Sequence, residues 1–314
     1  MDVPRFTLYL SGKLKMLNKE ALLEERRKLD LCLSGNLKNI GITYRQRADL
    51  NLNLYLTEYA TAKSESNYYK EASEDYQKAI ELLQLSNSGI HLSEAILAYG
   101  NAIKEQFLPL HRSVKEFTEC EERAKKEYQK CIDLTLRINH LRGYFFTMLE
   151  QMNLEVRKNI WHSAGCWPKR LVIFHSLGSP LSHQYLKGIY YFASQHLIEI
   201  WEYNYGRVPT SDLNDNFILD RLMDASGAIF LCSPEYNTSS KIVQFEIEKT
   251  EYLKNKEDPI EIFVLDIGNK EVVDRLKSLS ITAGKNEFEN KLQHFFNNLK
   301  NIYYCRKHRC ENNI

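Results

Sequence analysis

The sequence of 314 residues lacks a strong net charge and any long hydrophobic run. A net charge of +1 gives no sign of binding to nucleic acid or another polyanion through bulk electrostatics. No stretch approaches the ~18 apolar residues that a membrane-spanning helix requires, and the apolar run at the N-terminus is too short for a signal peptide. We therefore expect neither a membrane partner nor a direct nucleic-acid partner.

Cysteines suited to disulfides or zinc are lacking as well. The seven cysteines are odd in number and scattered, which argues against a disulfide framework and predicts a reducing, cytoplasmic location. His162 with Cys166, and the segment YCRKHRC at 304–310, do not have the ligand spacing of common zinc sites. We therefore predict no metal site.

The first half of the chain has few glycines and prolines, and its apolar residues recur at i, i+3 and i+4. Residues 1–160 are therefore predicted to form an all-helical domain. The length of the chain is sufficient for a second domain with a core of its own. Hydrophobic residues make up 43% and charged residues 26%, which is ordinary for a globular protein.

Three segments of the helical half share the pattern Ala-x3-Tyr-x2-small-Ile. They begin at Ala72, Ala95 and Ala124, at offsets of 23 and 29 residues. The pattern is similar to the second helix of a tetratricopeptide (TPR) repeat, and residues 39–48 are similar to its first helix. Because regular repeats have a period of about 34 residues, an irregular bundle with alanine-rich seams is the alternative. Both arrangements predict a helical surface for sensing or assembly, with an unidentified protein or nucleotide as its trigger.

From residue 168 onward, short β-branched runs alternate with helical segments, which predicts a parallel sheet covered on both faces. Trp167-Pro168 marks the junction, because proline disfavours a helical conformation in the residue before it. The predicted strands are 170–176, 198–204, 227–233 and 260–267, and the predicted helices are 183–197, 214–226, 240–253, 271–280 and 285–304. We expect this domain to span 168–303 and a flexible basic tail to occupy 304–314.

The loops after two strands are candidates for a binding crevice. Ligands of open α/β sheets bind beyond the carboxyl ends of the strands, where the strand order reverses. If the order is flavodoxin-like, 2-1-3-4-5, this point lies between the first and third strands. These strands lead into HSLGSPLSH (175–183) and SPEYNTSSK (233–241). Each loop contains small residues and precedes a helix whose N-terminal amides favour anions or phosphate.

One carboxylate of the helix after the third strand is predicted to face this crevice. At about 100° per residue, Ile242 and Ile247 belong to a broad apolar arc and Glu248 lies opposite. Glu246 lands about 40° from Ile242, within the apolar arc. The alternatives are a functional carboxylate in the crevice and a partly buried carboxylate with a structural role.

A series of motifs then follows in order along residues 168–300. They are the His-Ser end of the first strand, Trp201-Glu202, Gly206 at the start of a long loop, Ile218-x3-Leu222-x3-Ser226, Phe230-Leu231-Cys232-Ser233 with Tyr236, and Ser240-Lys241-x4-Glu246. Together they resemble the Toll/interleukin-1 receptor (TIR) domain, closest to its bacterial form. The chain departs from the family's pattern at Ile242-Val243, where the family usually has an aromatic residue or Trp-Cys that provides a stacking surface.

The resemblance implies hydrolysis of NAD⁺, with NAD⁺ as substrate and no resident cofactor. In enzymatic TIR domains the helix glutamate, here Glu246, approaches the ribose on the nicotinamide side. The resemblance and the crevice together give the substrate-binding residues as Phe174, His175, Ser176, Gly178, Glu202, Tyr203, Arg207, Ser233 and Ile242.

The resemblance also implies self-association, because TIR domains commonly act as oligomers in which a neighbouring subunit completes the pocket. The helical half would then be the part that senses a trigger or assembles the oligomer, as in prokaryotic antiviral defence proteins that deplete NAD⁺ or make a signalling nucleotide. Two alternatives remain open. One is a non-enzymatic TIR adaptor, and the other is a relative of nucleoside 2-deoxyribosyltransferases, which also place a glutamate beneath a ribose.

Overall fold

A computed structural model describes residues 19–61, 67–106, 114–164, 169–176, 179–202, 222, 225–255 and 259–299. The chain divides into two compact units, and among the described residues the division falls between Lys158 and Asn159. Three predicted features lie outside the described residues. They are the junction at Trp167-Pro168, the tail at 304–314 and most of the helix expected over 214–226.

The first unit consists of helices in its described residues, as predicted. The helices are α1 (Lys19–Leu31), α2 (Leu37–Thr61), α3 (Asn67–Leu85), α4 (Gly89–Gln106), α5 (Val114–Arg137) and α6 (Leu141–Ala164). Consecutive helices from α1 to α5 pack against each other. Helix α6 is joined to α4 by a buried ion pair between Glu150 and Lys104. None of the described helices combines the length and hydropathy that a membrane span requires.

Matching hydrogen bonds recur between the helices of this unit. The Tyr76 hydroxyl in α3 donates to Asp49 Oδ1 in α2 at 2.5 Å. The Tyr128 hydroxyl in α5 donates to Asn101 Oδ1 in α4 at 2.8 Å. All four side chains are buried, and each member of the second pair lies 52 positions after its counterpart. Each pair gives a buried polar group the partner that it requires.

The spacing of 52 residues accounts for two of the three sequence patterns. Those at Ala72 and Ala124 occupy equivalent positions of α3 and α5, whereas Ala95 lies on α4. Asn87 and Asn139, which have left-handed φ angles of 51° and 54°, follow α3 and α5 at the same spacing. The repeating unit is therefore a helical hairpin of 52 residues. Because tetratricopeptide repeats span about 34 residues, the structure does not establish a tetratricopeptide array.

The second unit contains a parallel sheet in the order β2-β1-β3-β4-β5, which confirms the flavodoxin-like order. Its described strands are β1 (Lys169–His175), β2 (Ile198–Glu202), β3 (Gly227–Cys232), β4 (Glu261–Asp266) and β5 (Ile281–Ala283). Its described helices are α7 (Pro180–Gln195), α8 (Lys241–Lys254), α9 (Lys270–Leu276) and α10 (Phe288–Asn298), the last preceded by a 3₁₀ turn at Lys285–Glu287. Strand β5 was not among the predicted strands, because three residues are too few to show a period.

Helices cover both faces of the sheet, as the alternation of short β-branched runs with helical segments predicts. On one face Phe174 and Phe230 pack with Val243 and Ile247 of α8 in a single core cluster. On the other face Phe263 contacts the rings of two phenylalanines of α10, at centroid distances of 6.3 and 5.5 Å. Burial on both faces explains why β1 and β3 lack the alternating pattern of a half-exposed strand.

A glycine at the α4–α5 contact provides a test of the helical packing. A Cβ atom at Gly100 would lie 2.7 Å from Tyr128 Cε1, whereas one at Gly188 in α7 would lie 3.4 Å from its nearest neighbour, Phe288 Cε1. We expect Gly100→Ala to lower the free energy of unfolding by about 1–3 kcal/mol through overpacking. The matched control Gly188→Ala should raise it by up to about 1 kcal/mol through helix propensity. Urea unfolding measures both, and equal stability of the two variants would contradict the packing described.

Candidate active site

The ends of β1 and β3 bring the two predicted loops together. The strands are direct neighbours in the sheet, with His175 opposite Leu231, and the strand order reverses between them. Ser176 and Ser233 follow the two strand ends. The position at which the sequence predicts a crevice is therefore the switch point of this sheet, which is the usual ligand position in open α/β folds.

Glu246 lies inside the protein, on the second turn of α8. Its side chain is 4% exposed, whereas Glu248 on the same helix is exposed. This confirms the orientation that the helical wheel predicts. Helix α8 buries its apolar side against the sheet through Val243 and Ile247. Glu246 is therefore carried into the core cluster by the same amphipathic pattern that holds the helix in place.

A tyrosine from the β3–α8 loop binds the buried carboxylate. The Tyr236 hydroxyl donates a hydrogen bond to Glu246 Oε2 at 2.5 Å, and both side chains are buried. Tyr236 is the single hydrogen-bond donor to this carboxylate within the described residues. The hydrogen bond therefore engages Oε2, and within the described residues no donor is seen for Oε1.

Burial changes the protonation of the pair. Loss of hydration raises the pKa of Glu246 to about 8, although the Tyr236 hydrogen bond and the charge of His175 act to lower it. The pKa of Tyr236 is raised well above its ordinary value, first by burial and then by the neighbouring Glu246. At pH 7 the carboxyl group is therefore mainly neutral in the free protein.

His175 lies at the end of β1, close enough for its charge to act on Glu246. The imidazole is buried, and its Nδ1 lies 3.1 Å from the carbonyl oxygen of Ser176, which favours the Nδ1–H tautomer. The His183 ring lies edge-on to it, with centroids 5.9 Å apart. Two predicted site residues, His175 and Glu246, are thus brought together by the strand end and the second turn of α8.

Serine hydroxyls line the same end of the sheet. Ser179 caps α7 by accepting a hydrogen bond from the Ser182 amide at 3.3 Å, and Ser179, Ser182 and Ser233 are fully buried. The pKa of the exposed Glu235 is below its ordinary value, because its own backbone amide and then the neighbouring Ser233 and Ser179 hydroxyls stabilise its charge. The loops after β1 and β3 thus place polar groups near each other at this end of the sheet.

The other predicted site residues fall into three groups. Phe174 has no exposed surface and packs against Phe230 at a centroid distance of 5.0 Å, so it supports the site from within the core. For Glu202 at the end of β2 and Ile242 in the first turn of α8, only the backbone is described. The remaining three lie outside the described residues: Gly178, Tyr203 and Arg207.

Sequence reasoning did not include Tyr236, Ser179 or Ser182 among the site residues. Tyr236 stands in the motif quoted for the TIR resemblance, but its contact with Glu246 depends on how the loop folds back over α8. The sequence does indicate the capping role of Ser179, because serine followed by proline is a common start of a helix. No cluster of three or more metal-ligating side chains occurs within the described residues.

No protein-family model, curated protein or solved structure matches this chain. The TIR resemblance therefore remains a prediction from the motifs. The sheet topology and the chemistry of the Glu246 site are the observations that bear on function.

The raised pKa of Glu246 predicts a stability that depends on pH. Between about pH 4.5 and 8 the unfolded chain ionises this carboxyl while the folded protein keeps it neutral, so stability is lost as pH rises through this range. We expect Glu246→Gln to stabilise the protein at pH 8 by on the order of 3 kcal/mol and to have little effect at pH 4.5.

Thermal or urea unfolding at the two pH values measures this difference. Glu248→Gln is the matched control, because Glu248 is an exposed glutamate two residues along the same helix. A Glu246→Gln effect that is the same at both pH values would show that the carboxyl titrates normally in the folded protein.

Proposed function

We propose that this protein is an NAD⁺ hydrolase that cleaves the bond between nicotinamide and ribose, with Glu246 as the catalytic carboxylate. The observation that carries the proposal is the buried Glu246–Tyr236 pair beneath the adjoining ends of β1 and β3. Ligands of open α/β sheets bind at this position. Carboxyl groups with strongly perturbed pKa values are concentrated at functional sites.

The chemistry of NAD⁺ cleavage suits a single carboxylate. Nicotinamide already carries the positive charge of the substrate and leaves as a neutral molecule, so no strong general acid is needed. As the glycosidic bond breaks, positive charge develops on the ribose, and an ionised Glu246 stabilises it at close range. Water then adds to the ribose carbon and loses a proton, which gives ADP-ribose, whereas attack by an adenine nitrogen would give a cyclic product.

The neutral state of Glu246 in the free protein fits a cationic substrate. Bringing the positive nicotinamide ribose to the carboxyl group favours its ionised form. The Tyr236 hydroxyl then stabilises the new charge by a charge-assisted hydrogen bond. We therefore propose that substrate binding lowers the pKa of Glu246, so that its proton is released to the solvent and a carboxylate forms beside the ribose.

Incubation of the purified protein with NAD⁺ tests the activity, with and without crowding agents or fusion to an oligomerising domain. We expect wild type and the control Glu248→Gln to release nicotinamide, measured by chromatography. Glu246→Gln should lose at least about 100-fold in rate, because it cannot stabilise developing charge. No turnover in any assembled state would favour the adaptor, and transfer or hydrolysis of deoxynucleosides would favour the deoxyribosyltransferase-like enzyme.

The activity should depend on pH in a defined direction. Because catalysis requires ionised Glu246 and its pKa in the free protein is about 8, kcat/KM should rise with pH up to that point. Below it we expect roughly a tenfold fall for each pH unit. A pH profile of initial rates checks this, and a plateau that extends down to pH 5 would contradict it.

The rest of the chain is proposed to control this site. The helical unit is the proposed sensing or assembly part, responding to an unidentified protein or nucleotide. Self-association through the sheet unit would activate cleavage, and a role in prokaryotic antiviral defence follows from the TIR resemblance. These proposals rest on the motifs rather than on the site geometry. The cytoplasm is the proposed location, because the scattered cysteines suit a reducing compartment.

A further inference from the structure

Tyr236 is held in place from several directions. Its amide donates to the Ser233 carbonyl at 2.9 Å, and its own carbonyl accepts a hydrogen bond from Asn269 Nδ2 at 2.6 Å. Its ring lies edge-on to Phe230, with centroids 6.3 Å apart. The side chain is 2% exposed, so the position of the hydroxyl is set by the core and the loop together.

The hydroxyl engages one defined oxygen of its partner. It donates to Glu246 Oε2, and the backbone carbonyl of Glu246 accepts separately from the Thr250 hydroxyl at 2.7 Å within α8. A buried carboxyl group without this donor would have no described partner to fix its rotation. The hydrogen bond thus fixes the rotation of the carboxyl group, because it engages Oε2 and not Oε1.

We propose that Tyr236 is a positioning residue for Glu246, holding Oε2 so that Oε1 meets the ribose of the substrate. This role rests on the proposed function of Glu246. The contact itself, however, is a property of the folded protein and can be tested without turnover. The effect on protonation follows from it, because a hydroxyl that donates to a carboxylate stabilises the charged form.

Removing the hydroxyl should therefore shift the titration of Glu246. In Tyr236→Phe the carboxyl keeps its burial but loses the hydrogen bond, so its pKa should rise from about 8 to above 9. Within the described residues, the other titratable groups that act on the pair are His175 at the end of β1 and Cys232 at the end of β3, and both are unchanged in the variant.

The helical unit contains a matched control. The Tyr76 hydroxyl donates to Asp49 Oδ1 at the same distance of 2.5 Å, and both of these side chains are buried. Tyr76→Phe removes an equivalent hydrogen bond outside the sheet unit. It should reduce stability to a similar degree while leaving the titration of Glu246 and the pH profile of cleavage unchanged.

A second variant distinguishes loss of the hydrogen bond from misfolding of the Tyr236→Phe protein. Replacement of Tyr236 by 3,5-difluorotyrosine keeps the ring and makes the phenol a stronger donor, so the pKa of Glu246 should fall instead of rise. Opposite shifts from the two replacements are not expected from a general loss of packing.

The experiment is a carboxyl ¹³C NMR titration of the full chain labelled in glutamate, with the Glu246 signal assigned from Glu246→Gln. We expect a higher midpoint in Tyr236→Phe, a lower one with difluorotyrosine and no change in Tyr76→Phe. In the cleavage assay at pH 7, Tyr236→Phe should lower kcat about tenfold or more with little change in KM, and its pH profile should move upward.

The outcomes separate the two proposals. An unchanged Glu246 midpoint in Tyr236→Phe would overturn the positioning role, whatever the activity. Shifted midpoints in a protein that cleaves no NAD⁺ under any condition would overturn the proposed function and the catalytic role of the contact, leaving the pair as a structural hydrogen bond. A drop in kcat without any shift of the midpoint or the pH profile would also count against positioning.

Discussion

Burial of one carboxyl group beneath two strand ends is the constraint on which the account of this protein depends. Glu246 lies among apolar side chains of α8 and β3, and a charge there loses its hydration. The single described hydrogen bond, from Tyr236, recovers only part of that loss. The folded protein therefore holds a neutral acid near neutral pH, at the one end of the sheet where such folds bind ligands. A natural sequence retains such a destabilising group most readily where function requires it.

The parallel sheet makes this arrangement possible. Because β1 and β3 are adjacent and run in the same direction, their following loops meet at one edge and His175 comes close to Glu246. The amphipathic pattern of α8 then determines how deeply Glu246 is carried inward. A change of one residue in the register of α8 would turn the side chain by about 100°, so packing and site chemistry are coupled through Val243 and Ile247.

Much of the sheet and the orientation of Glu246 could be predicted from the sequence. The features that could not be predicted have physical causes. The buried strands and the inward turn of Glu246 depend on local periodicity, which a single sequence displays. Strand β5 is too short to show a period. The contact of Tyr236 with Glu246 depends on a loop folding over a helix, and the raised pKa depends on total burial, so neither has a local signal. In the helical unit, the 52-residue hairpin was obscured because the same short pattern also occurs on α4.

The central claim is that a cationic ribosyl substrate converts neutral Glu246 into a carboxylate. Infrared difference spectroscopy at pH 7 tests it directly, by adding a non-cleavable carbocyclic analogue of NAD⁺ to the protein. The account predicts that the carbonyl band of a protonated carboxylic acid disappears on binding and that Glu246→Gln shows no such loss. A bound analogue that leaves this band unchanged, or a free protein that lacks the band at pH 7, would contradict the account.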